Sequence, residues 1–172
     1  MTDSAHIRRS IEQVAQFFAE HPHKGRSTDS AAVAVIEDGL RCRAEGPRGA
    51  LLVTDMPGPI GGGGAAPTPG WFLRAALASC DATVIAMRAA QLGVALSRLE
   101  VTVDGESDGR GLLGLAGALP GPIGLRVQVR IAAADETPAA QLRELVHWAE
   151  AHSPVGDALR RALPVALDVQ LC

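Results

Sequence analysis

Between Pro69 and Gly93 the sequence runs PGWFLRAALASCDATVIAMRAAQLG, and from Ala75 to Ala90 it is apolar or small on nearly every face. Thr68 and Pro69 are an N-cap and a first helical residue, and Gly93 suits a C-cap, so the spacing predicts one long helix over 69–93. A helix with no polar face has to be enclosed by protein on most of its sides. It is therefore predicted to lie inside protein rather than on a surface, and Ala75, Ala76, Ala78, Ser79 and Ala82 would let another backbone come close.

The flanking segments read as further helices and strands. Asp3 or Ser4 caps a first amphipathic helix, with Ile7, Ile11, Val14 and Phe18 at helical spacing, that ends at HPHKG. AAVAVIEDGLRCRAEG reads as two strands joined across Asp38-Gly39, and ALLVTDMP as a third, giving an antiparallel meander. After the long helix, VALSRLEVTVDGE is a strand, DGRGLLGLAGALPGP a glycine-rich excursion and IGLRVQVRIAAAD an alternating strand. Thr137 and Pro138 open a second helix through Leu142, Leu145, Val146 and Ala149, and the tail PVALDVQLC is predicted to close as a strand. The reading is a single α+β domain over residues 1–172, without repeats, in which 1–25 form a helical extension.

Composition excludes several classes of function. A net charge of -3 removes the electrostatic drive for nucleic-acid binding, and 3% aromatic residues with no tyrosine leave few stacking platforms. The start MTDSAHIRRSIEQ lacks the apolar core of a secretory signal, and no stretch reaches the roughly 18 unbroken apolar residues of a membrane span, so a cytoplasmic protein with no membrane partner is expected. The three cysteines, Cys42, Cys80 and Cys172, have neither the number nor the spacing of a disulfide framework or zinc site, and no histidine pair suggests a metal. The loop GPIGGGGAAPTPG lacks the GK[ST] ending of a phosphate loop, so it reads as an unanchored, mobile connector that binds no nucleotide.

Cys80 is the one residue in the long helix with chemistry to offer. Its helical neighbours Ala76, Leu77, Thr83 and Val84 are an apolar setting of the kind that keeps thiols inert, and it lies too far from the helix N-terminus for the dipole to act. Asp81 is adjacent but projects roughly 100° away around the helix. By pattern alone Cys80 is a packing residue, and reactivity would require a cation from elsewhere, such as an arginine on the meander. Arg26, Arg41, Arg43 and Arg48 are the available ones, Arg43 and Arg26 the foremost; Arg41 and Arg43 share a strand face opposite Cys42. Ser153 precedes Pro154 as the N-cap of a short helix.

The run GPIGGGGAAPTPGWFLRAALASCDATVIAMRAAQLGVALSRLEV resembles the core signature of the OsmC and Ohr family, and the similarity extends through VTVDGESDGRGLLG to AHSPVGDALRRALPVALDV, over roughly residues 30–172. The resemblance implies an OsmC-like fold, an antiparallel sheet wrapped on a long buried central helix, in an intertwined homodimer with its sites at the subunit interface. It places Cys80 at the peroxidatic cysteine, which attacks an alkyl or fatty-acyl hydroperoxide and becomes a sulfenic acid that a second cysteine traps as a disulfide. This sequence departs at two points. Ser153 stands where the second cysteine belongs, and a hydroxyl cannot form that disulfide; Gly70 stands where many members carry the glutamate that pairs with a catalytic arginine.

The implied function is a cytoplasmic, oxidative-stress, thiol-dependent organic hydroperoxide reductase of one-cysteine type. It would use no cofactor beyond an external thiol or dithiol reductant and act on a small apolar hydroperoxide. The alternative is a non-catalytic protein of the same fold that binds a lipid-like or other small molecule. Cys42 and Cys172 read as ordinary strand residues.

Overall fold

The computed structural model describes residues 4–171; Asp3 and Cys172 of the expectations above lie outside the described residues. Residues 9–75 form one compact unit, and the residues up to 8 together with those from 76 onward form another. The first helix, α1 (Ser4–Glu20), follows the predicted amphipathic span and is succeeded by a 3-10 turn at Pro22–Gly25.

In the unit of residues 9–75, β1 (Val33–Asp38), β2 (Arg41–Glu45) and β3 (Leu51–Thr54) make the expected antiparallel meander in the order β1-β2-β3. The hairpin turn sits one residue later than the sequence suggests: Asp38 is paired with Arg41, so Gly39 and Leu40 form the loop. Gly39 adopts φ 54°, a left-handed conformation that the missing Cβ makes cheap, and the pairing shifts between Ile36 and Asp38 to accommodate it.

The glycine-rich loop after β3 has an anchor that the sequence reading lacks. Asp55, 2% exposed, accepts hydrogen bonds through Oδ1 from the amides of Met56 (2.7 Å) and Gly63 (3.3 Å), and through Oδ2 from Ala65 (2.9 Å). These bonds hold the Asp55 carboxyl below its usual range, the Ala65 amide contributing most and Met56 next. Gly62 passes so close to the Met56 carbonyl that a Cβ would lie 1.8 Å from its oxygen. The loop is a compact turn tied to β3 rather than an unanchored connector.

The central helix, α2, spans Pro69–Leu92, with Thr68 Oγ1 accepting from the Trp71 amide at 3.2 Å as its cap. Gly93, at φ 70°, ends it: its amide donates to the Ala90 carbonyl and that of Val94 to the Ala89 carbonyl at 2.9 Å, a Schellman closure. In the unit from residue 76 onward, β4 (Leu96–Ser107) and β5 (Pro122–Ala133) form a long antiparallel pair. A four-residue helix, α3 (Gly109–Leu112), capped by Asp108, occupies the glycine-rich excursion between them. One sheet face carries charge ladders, Asp104 opposite Arg126 (2.7 Å) and Glu100 opposite Arg130 (2.6 Å). The other presents Leu99, Val101, Val129 and Ile131 to the helices.

The core forms where Ile85, Ala89 and Val94 meet Leu145 and Ala149 of α4 (Ala139–Ala151) on that apolar face. The start of α4 is built differently from expectation: Thr137 makes no cap, and its amide and hydroxyl instead donate to Asp135 Oδ1. Arg88 lies 4.3 Å over the Trp148 ring, a cation–π contact that ties α2 to α4.

One expectation fails outright. The closing strand is absent: residues 162–171 have no regular structure, because alternation selects a strand only where a partner edge supplies hydrogen bonds. The face of α2 formed by Leu77, Asp81, Ile85 and Ala89 is buried, while Ala76, Ser79, Thr83, Ala86 and Met87 are exposed, so its own chain covers one side of the helix. By length and composition alone α2, with a mean hydropathy of 1.2 in its most apolar stretch, would also suffice to cross a membrane, contrary to the sequence reading. Its inner face instead packs against α4 and the β4–β5 pair, as a core helix does.

Candidate functional site

Cys80 sits in the middle of α2, partly buried, on the side of the helix that meets the turn after α4. That turn is short. Ala151 ends α4, His152 follows, and Ser153 begins α5 (Pro154–Arg160) as its N-cap, with Pro154 fixing the first helical φ. The Ser153 hydroxyl accepts a hydrogen bond from the Gly156 amide at 3.1 Å and donates to Cys80 Sγ at 3.3 Å. Because the amide occupies a lone pair of the oxygen, the hydroxyl hydrogen is directed at sulfur. Ser153 is 0% exposed, so this orientation is held in a closed setting.

The two positions that the family resemblance pairs thus lie together across 73 residues of chain. The contact is placed to hold the Cys80 sulfur in one orientation. The cap reading of Ser153 and the site reading are both satisfied by one hydroxyl. Gly156 fits closely against the cap: a Cβ on it would stand 3.2 Å from the Ser153 Cβ and 3.1 Å from Arg160 Nη1, so those neighbours would have to give by a few tenths of an ångström.

Arg43 and Arg26 belong to the unit of residues 9–75. Arg43 is held by Glu37, its Nε 2.5 Å from Oε1, and by Glu45, and Arg41 also reaches Glu37 at 3.5 Å. These contacts lower the Glu37 carboxyl below its usual range, the hydrogen bond from Arg43 being the largest cause. Arg26 is exposed at the end of the 3-10 turn, on extended backbone. Cys42 is a half-buried strand residue, paired with Ile36 and Thr54 as expected of it. Gly70 is in the first turn of α2 with nothing nearer than 3.9 Å to a Cβ built on it, so no steric demand explains the glycine. Among the described residues no group of histidine, cysteine or carboxylate side chains is arranged to hold a metal.

Residues of α2 and α5 near Cys80 and Ser153 in the chain, Asp81 and Gly156 among them, line a cavity of ≈ 380 Å³ that sequence reasoning does not foresee. Leu77, Leu125, Val127 and Leu159 give it apolar walls, and Gly156 and Asp81 also line it. Asp81 is 3% exposed. The signal that could have found it is its position between Leu77 and Ile85 at helical spacing, which puts a carboxylate on the most buried stripe of α2. A larger groove of ≈ 580 Å³ lies between β5 and α4.

The fold has close counterparts among solved structures. An OsmC-like protein from Mycoplasma pneumoniae matches with a TM-score of 0.66 at 14% identity, over 80% of this chain and 91% of that one. An organic hydroperoxide resistance protein, OsmC, from Legionella pneumophila matches at 0.58 with 22% identity, over 78% and 91%. The organic hydroperoxide resistance protein OhrB of Bacillus subtilis matches at 0.51 with 17% identity, over 78% and 93%. No curated protein matches the sequence. The sequence itself matches the OsmC-like protein family over residues 61–168, a span that holds the whole of α2 with Cys80 and reaches past Ser153. An α+β architecture shared with these structures and a sequence match over more than half of its length together establish that the chain belongs to the OsmC-like protein family.

Proposed function

We propose that the protein is a thiol-dependent organic hydroperoxide reductase of one-cysteine type, in which Cys80 is the oxidised residue and Ser153 positions and supports its sulfur. The observation that carries this reading is the 3.3 Å hydrogen bond from the Ser153 hydroxyl to Cys80 Sγ. Two of the structural neighbours are named as organic hydroperoxide resistance proteins, which supports the same chemistry. In the first step the Cys80 thiolate attacks the terminal oxygen of a hydroperoxide ROOH. An S–O bond forms, the O–O bond breaks, and the alkoxide takes a proton to leave as ROH. An external thiol then displaces water from the sulfenic acid, giving a mixed disulfide, and a second thiol equivalent returns Cys80 to the thiol.

Ser153 cannot act as a resolving group, so the sulfenic acid persists until that external thiol arrives. Treating the protein with cumene hydroperoxide should add one oxygen to the peptide carrying Cys80, and a second on longer exposure, as read by peptide mass. Ser153→Cys is the sharper test. With the side chains already in contact, peroxide should join Cys80 to the introduced thiol in a disulfide of ordinary geometry, S–S about 2.05 Å. An unmodified Cys80 in the wild type together with no disulfide in the variant would overturn the proposal. That result would favour the second reading, a non-catalytic small-molecule-binding protein, which the cavity lined by Leu77 and Asp81 of α2 supports.

A further inference from the structure

The ≈ 380 Å³ cavity has one feature that neither peroxide chemistry nor packing accounts for. Asp81 reaches it from the buried stripe of α2, and its Oδ1 is shielded from solvent and has no hydrogen-bond partner. A buried carboxyl oxygen without a hydrogen-bond donor is costly, and the cost is normally relieved by a donor from a neighbouring group or a bound molecule. The charged groups that face the cavity besides Asp81 are Glu150 and Arg160. They neutralise one another: Arg160 Nη1 is paired with the Glu150 carboxylate and its Nη2 donates to the Glu150 carbonyl at 2.9 Å. The guanidinium is therefore engaged at the rim, and Asp81, with Oδ1 unpartnered, shares the lining with Leu77, Leu125, Val127 and Leu159.

We propose that this cavity is a binding site for a small organic cation, a primary ammonium on an apolar body, with Asp81 as its counter-ion. An ammonium supplies both what Oδ1 lacks, a donor and a positive charge, and the aliphatic walls take the body. A carboxylate of the same size would bring like charges together. An alcohol would satisfy the oxygen but leave the charge. The volume is within the range of small-molecule sites, about 300–1,000 Å³. The site is independent of the reductase reading, since it uses neither the Cys80 sulfur nor its oxidation.

The test compares hexylamine, hexanol and hexanoate, at fixed ionic strength, by titration calorimetry on the full chain. Hexylamine should bind saturably, with hexanol at least about tenfold weaker and hexanoate silent. Asp81→Asn should weaken hexylamine by a similar factor. Leu159→Trp keeps the carboxylate and alters a partly exposed wall residue, so it should fold as the wild type does and exclude hexylamine by filling the cavity. Cys80→Ser should bind hexylamine as the wild type does, which separates this site from the thiol chemistry. No saturable binding, hexanol binding as tightly as hexylamine, or a hexylamine affinity unchanged by Asp81→Asn or Leu159→Trp would overturn the proposal.

Discussion

Asp55 turns both carboxylate oxygens back onto the loop that follows β3, and three amide donors hold it ionised. Since its folded pKa lies below the unfolded value of about 3.9, its contribution is fully present above that value and is lost as pH falls through the folded one. Thermal unfolding followed from pH 7 to pH 2 should therefore show a loss of Tm below about pH 4 that is shallower in Asp55→Asn, with the variant less stable than the wild type at neutral pH. A parallel profile in the two proteins would remove this role. The sequence does not disclose the anchor because an aspartate at a strand end looks like ordinary turn punctuation, and its donors lie 8 and 10 residues further on. The Cys80–Ser153 contact is legible for a different reason: resemblance to a family pairs the two positions, whereas spacing alone cannot join residues 73 apart. Asp81 stands out in the sequence only as a neighbour of Cys80, and its weight comes from being the most buried charge of α2.

At the scale of elements, α2 and α4 are the most readable parts of the chain, because Thr68, Pro69 and Gly93 mark the limits of the first and apolar periodicity marks the second. Their packing makes Leu145, 1% exposed, the point where truncation should hurt most. Leu145→Ala should cost about 2–5 kcal/mol in denaturant unfolding, whereas Met87→Ala on the exposed face of α2 should stay within about 0.5 kcal/mol. Equal losses would mean that the α2–α4 contact is not the centre of the core. Local signals mislead where two structures compete for the same residues. Asp38-Gly39 is a good turn pair, yet Asp38 is retained by its pairing with Arg41; Thr137-Pro138 looks like a cap, yet Thr137 is drawn to Asp135. The tail alternates as a strand should, and what it lacks is an edge to pair with.

Across the whole molecule, much apolar surface is left uncovered. Val33, Val35 and Ile36 of β1 are exposed, as are Met87 on α2 and Leu163 in the tail. Further along that tail, Val165, Leu167 and Leu171 are 89%, 87% and 94% exposed. A lone soluble chain rarely tolerates this, and the small residues along the open side of α2 would admit a close neighbour. Light scattering behind size exclusion should give twice the 17.8 kDa chain mass at micromolar concentration, and deletion of residues 164–172 should shift that mass toward the single chain. A well-folded 17.8 kDa species at every concentration would count against assembly. The uncovered tail also bears on how long the protein lasts in a cell. An irregular, exposed apolar segment is a place where proteolysis can start, and a second copy that covered it would close that entry. Abundance and turnover are then coupled: scarce chains are cleared quickly, while chains made fast enough to meet one another survive.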